Sequence, residues 1–138
     1  MRKEIYQKVK AALEAIPGSP VKHVDLWNHN VEFIEQEEAW DRPAVFIEFS
    51  PVTWRGVKSD GYHTQGELRL HIVTDWTGQE SSLEVFDLCE VIRAALIDLD
   101  GESFSGLKLL QSHTNHNHED IVESIEVFGY GGEWSPND

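Results

Sequence analysis

One cysteine, one methionine, and 11 lysines and arginines against 25 acidic residues stand in a chain of 138. The lone Cys89 excludes an internal disulfide, which suits a reducing compartment. No apolar run approaches the roughly 20 residues that cross a bilayer. Residues 1–10 are amphipathic and charged, so neither a membrane helix nor a secretory leader is expected. The shortage of cations leaves a formal net charge of −14. Such a surface repels phosphate backbones, and the basic residues gather only at Arg2, Lys3, Lys8 and Lys10, beside Glu4 and Glu14. Sequence-specific nucleic-acid binding is therefore not expected, although an acidic wall lets DNA slide past without sticking. The phosphate loop, the nucleophile-elbow serine, paired CxxC and HExxH are all missing.

What is present suffices for a core. Hydrophobic residues make up 40% of the chain and five are tryptophans. A chain of this length buries about two-thirds of its unfolded surface, enough to fold without disulfides or metal. We expect a single domain over 1–130 with a flexible C-terminal tail over 131–138. Ile5, Val9, Ala12, Leu13 and Ile16 recur at helical spacing, and Pro17-Gly18-Ser19-Pro20 ends the helix. Strands are expected at 21–27, at 44–49 after Arg42-Pro43, and at 66–75, where Leu68, Leu70 and Ile72 alternate with Glu67, Arg69 and His71. The acidic stretch between the first two reads as a solvated connector, and 52–65 as an extended hairpin or flap. The main helix is expected over 81–99, with Ser81 and Glu84 as a capping box and Gly101 as the left-handed residue that closes it. Two further strands, 107–112 and 121–130, would form a hairpin. The fold class is α+β: an antiparallel or mixed sheet of about five strands with two helices packed on one face, in the order α-β-β-β-α-β-β.

Few residues invite chemistry. His113, His116 and His118 precede Glu119 and Asp120, and imidazoles with carboxylates can hold a metal. No second ligand group with recognised spacing supports them, so a polar hairpin tip with no metal is expected. Cys89 falls on the apolar face of the main helix and reads as a core thiol. Gly129-Tyr130-Gly131-Gly132 lacks the following helix that a phosphate loop requires. No catalytic residue and no cofactor are expected. Trp54 and Tyr62 in the flap, and Trp76 at a strand end, are candidates for an oligomer interface, where large aromatics are enriched.

The order of these elements, with Arg42-Pro43-Ala44-Val45-Phe46-Ile47, Glu67-Leu68-Arg69-Leu70-His71-Ile72 and Leu83-Glu84-Val85-Phe86-Asp87-Leu88-Cys89-Glu90-Val91-Ile92, resembles the small tail-terminator or tail-completion proteins of long-tailed phages and prophages. The resemblance spans about 2–130 and lies in element order and hydrophobic pattern. It implies an α+β subunit of a homo-oligomeric ring, commonly a hexamer, that caps the tail tube and joins it to the head. It further implies phage tail or head–tail connector partners, no enzyme activity, and a place in the host cytoplasm or the virion. The acidic stretch 28–40 and the segment 131–138 have no counterpart in that pattern. Alternative readings are another head–tail joining or minor tail protein, a small metal-binding enzyme using His113, His116 and His118, and a small-molecule binding domain.

Overall fold

A computed structural model of the chain describes residues 1–28, 40–58, 60–78, 80–115 and 120–136. Its elements are α1 (Arg2–Glu14), β1 (His23–Leu26), β2 (Ala44–Phe49), β3 (Thr53–Gly56), β4 (Tyr62–Asp75), a 3-10 turn (Glu80–Leu83), α2 (Glu84–Leu96), β5 (Lys108–Asn115) and β6 (Ile121–Trp134). The class is α+β as expected, with six strands rather than about five. The additional strand is β3, which the flap forms by pairing with the start of β4.

The sheet order is β1-β2-β4-β6-β5, with β3 attached to β4. β1 pairs parallel to β2 and all other pairs are antiparallel, so the sheet is mixed. Both helices lie on one face. Ile5, Val9 and Leu13 of α1 and Val85, Leu88, Cys89, Ile92 and Leu96 of α2 pack on Val45, Ile47, Leu68, Leu70, Ile72 and Phe128. Each fully buried Leu, Ile or Phe contributes about 1.5–3 kcal/mol relative to leaving it in water. The strand periodicity thus sets which residues meet the helices, and helical spacing on α1 and α2 supplies the matching stripes.

Several boundaries differ from the sequence-based expectation. Leu83 rather than Ser81 occupies the N-cap of α2, and it gives no side-chain cap. The 3-10 turn takes up Glu80–Leu83, and Ser82 within it accepts a hydrogen bond at Oγ from the Thr77 amide, 3.1 Å away. α2 ends at Leu96, and the left-handed residue beyond it is Asp98, φ 62°, rather than Gly101. Gly101 answers a different need, because a Cβ there would lie 2.6 Å from Glu4 Oε1. The Glu4 carboxylate accepts hydrogen bonds from Ser103 Oγ, Ser103 N and Glu102 N, which hold its carboxyl below the usual range and tie α1 to the loop after α2.

The largest difference concerns β4 and β6. Both are 14 residues long and pair along their whole length, from Tyr62 with Trp134 to Asp75 with Ile121. β4 begins at Tyr62 rather than at Gly66, and β6 continues through 131–134, where the pattern suggested a tail. Glycine is locally unfavourable inside a strand; here pairing with β4 and close neighbours override that. A Cβ on Gly132 would lie 2.6 Å from the Ser103 carbonyl oxygen. Gly132→Ala is therefore expected to destabilise the protein by about 1–3 kcal/mol, read from the urea midpoint, because backbone must shift to admit the methyl group.

Candidate functional site

A 14-residue strand extends for roughly 45 Å, and a 13-residue helix for about 20 Å. The β4–β6 ladder consequently overhangs the helical layer, and with β3 it makes a three-stranded arm. At the root of the arm Thr64 Oγ1 lies 3.5 Å from Met1 Sδ, and Ser105 N donates to the Gly131 carbonyl at 2.7 Å. Beyond that root the helix-side aromatics of the arm are about half exposed. Trp54 of β3, Tyr62 of β4 and Trp134 of β6 meet there with ring centroids 5.8–6.1 Å apart. The register explains the meeting: Trp54 opposes Thr64, Tyr62 opposes Trp134, and alternate residues share a face. The three rings are 50%, 39% and 46% exposed.

Two of the three candidate interface aromatics, Trp54 and Tyr62, are thus brought together. Trp76 is exposed but stands past the opposite end of β4, at the other end of the sheet. Trp134 was missed from sequence because it sat in an assumed tail. The signal that could have found it is the alternation of Phe128, Tyr130 and Trp134 on even positions.

The helix-free face of the sheet has two halves. One is sealed. His71 places Nδ1 2.6 Å from Glu123 Oε2 and Nε2 2.7 Å from Glu48 Oε1. To satisfy both, the ring donates from both nitrogens or a carboxyl carries the shared proton. Asn115 Nδ2 donates to the other Glu123 oxygen at 2.8 Å. Trp27 lies flat on the imidazole, centroids 3.7 Å apart and planes 2° from parallel, while Trp40 and Phe46 pack alongside. The ring is 5% exposed, so a substrate has no approach to it, and the cluster serves as a cross-strand tie.

The other half is an open trough of about 1260 Å³. Gly129 and Gly131 face this side without side chains, and Leu110 and Ser105 lie over them: a Cβ on Gly129 would stand 3.1 Å from Leu110 Cδ1, and one on Gly131 3.3 Å from Ser105 Oγ. Arg55, His63, Arg69, Lys108 and Glu67 line the trough, with Pro51 and Leu110 as apolar walls; Lys108 is paired with Asp98, and His63 lies 3.4 Å from Glu133. In a chain of net charge −14, Arg55, Arg69 and Lys108 outnumber Glu67 and the Asp98 partner of Lys108 here, a small local excess of cations.

The remaining candidates offer less. His113 is exposed on β5 opposite Ile125, while His116, His118 and Glu119 lie outside the described residues. Among the described residues no group of three or more His, Cys, Asp or Glu is placed to hold a metal. Gly129-Tyr130-Gly131-Gly132 is strand, not a phosphate loop. Cys89 is buried, and its thiol is pushed up to about 12, first by burial and then by the Glu126 carboxylate. It should resist thiol reagents until the protein unfolds. Because the folded value exceeds the ordinary 9.0, Cys89's contribution to stability is complete below that pH and is lost as pH rises toward 12. The expected loss is about 1.4 kcal/mol per pH unit. Cys89→Ala should show a correspondingly shallower alkaline decline in unfolding free energy.

No helix among the described residues is long and apolar enough to cross a membrane. No protein-family model matches the chain, and no curated protein matches it. Among solved structures, a chain from the virion of a native gene transfer agent particle is similar over 94% of this chain and 92% of that one, with a TM-score of 0.61 and 18% identity. That likeness is one of fold: the same α+β arrangement recurs in a subunit of an assembled particle.

Proposed function

We infer that this chain is a structural protein of a phage or prophage particle, acting by assembly rather than by catalysis, and in the specific form of a tail terminator that builds a ring at the end of the tail tube. The observation that carries the reading is the overhanging arm, whose tip presents Trp54, Tyr62 and Trp134 to solvent, each about half exposed. Large aromatics left exposed together are costly in water and become favourable when a partner covers them. Support comes from the fold likeness to a gene transfer agent virion chain and from the element order noted in the sequence. The net charge of −14 suits a ring through which DNA must pass without adhering.

The test is assembly itself. The purified chain is expected to form a closed oligomer in solution or on isolated tail tubes, measured by light scattering and by tube-capping in electron micrographs. Trp54→Ser with Trp134→Ser should keep the circular dichroism spectrum and lose capping. A chain that stays monomeric and also leaves tubes uncapped would overturn the reading. A head–tail joining role shares every feature above, and it would show as binding to connector rather than to tube.

A further inference from the structure

The helix-free trough and the outer face of α2 are unlike surfaces on opposite sides of the sheet, and their properties complement each other. The trough carries Arg55, Arg69 and Lys108 beside Gly129 and Gly131. The outer face of α2 and its preceding turn exposes Leu83, Phe86 and Val91, interleaved with Glu84, Asp87 and Glu90. Helical spacing puts these residues on the side turned away from Val85, Leu88, Cys89 and Ile92, which face the core. The first surface carries an excess of cations and is concave; the second is anionic and convex, with the exposed apolar residues Leu83, Phe86 and Val91 set among its carboxylates.

We propose that the trough is the seat for the outer face of α2 from a second copy of this chain, so that copies join head to tail. The proposal rests on the assembly reading above and names its subunit contact. Charge selects the occupant: Arg55, Arg69 and Lys108, which outnumber Glu67 and the Asp98 partner of Lys108, meet three carboxylates, and Leu110 and Pro51 stand where Phe86 or Leu83 would enter. Glycine at 129 and 131 lets Leu110 and Ser105 lie low over the strand, which keeps this side of the trough shallow. Since the two surfaces lie on opposite faces of one molecule, each copy keeps one free after pairing. Such a contact propagates, and it closes into a ring when the rotation per step allows. The aromatic tip of the arm then remains available for a different partner.

Charge reversal at exposed positions tests the contact. Sedimentation should show that Arg55→Glu with Lys108→Glu, and separately Asp87→Lys with Glu90→Lys, each raise the Kd for self-association at least tenfold. An equimolar mixture of the two reversed chains should reassemble, because each trough then meets a helix of opposite sign. Wild-type association with unchanged Kd in both variants, or a mixture that fails to recover, would overturn the contact and leave the assembly reading standing. A wild-type chain that never associates, alone or on tail tubes, would overturn both.

Discussion

Replacing Glu123 by alanine is expected to lower the free energy of unfolding by about 3–5 kcal/mol, whereas Glu133→Ala should change it by less than about 1 kcal/mol. Both glutamates lie on β6 and both face a histidine of β4, at 2.6 Å for Glu123 with His71 and 3.4 Å for Glu133 with His63. Surroundings separate them. The Glu123 side chain is 2% exposed and that of Glu133 is 80% exposed. Removing Glu123 strands the His71 Nδ1 and takes an acceptor from the Asn115 amide in a site closed by Trp27, with little water to replace the lost carboxylate. At the arm tip, water hydrates whatever His63 loses. Urea unfolding of the two variants reads the difference. Equal, small effects would show that the tie between β2, β4, β6 and β5 contributes little.

A second pair of substitutions on the same strand separates core from surface. Phe128→Ala is expected to cost about 3–5 kcal/mol, since the ring is fully buried between the sheet and the helices and leaves a cavity. That is a large share of the roughly 5–15 kcal/mol by which domains are stable, so the variant should accumulate poorly. Trp134→Ala, six residues on and 46% exposed, should cost no more than about 1 kcal/mol. Its expected phenotype lies in assembly: a folded chain that fails to engage its partner. Thermal unfolding together with tube-capping distinguishes the two. A Trp134→Ala chain that unfolds as readily as Phe128→Ala would assign the aromatic tip to folding rather than to docking.

The features that span a few residues were legible in the sequence. The apolar stripes of α1 and α2, the alternation of Leu68, Leu70 and Ile72, and the hairpin of β5 and β6 all follow from periods of 3.6 and 2 within a single element. These periods also identified the α+β class and placed Cys89 in the core. What they could not settle is where a strand stops when glycine or aromatic residues carry it onward, as at Gly131–Gly132 and Tyr62. There the backbone conformation depends on a partner about seventy residues away.

The same limit applies to charge. Glu123 and Glu126 look like solvent-facing positions, yet Glu126 is buried on the helix side with Arg93 and Ser112, and Glu123 is buried on the other side with His71. Each partner comes from a different element, so no spacing rule predicts it. The sequence by itself determined the composition, the acidity, the two amphipathic helices and the faces of the central strands, because those depend on near neighbours. Only the tertiary structure decided the length of the β4–β6 ladder, the union of Trp54 and Tyr62 with Trp134 rather than Trp76, and the cationic trough. All three arise from register between distant strands, which sets what stands beside what.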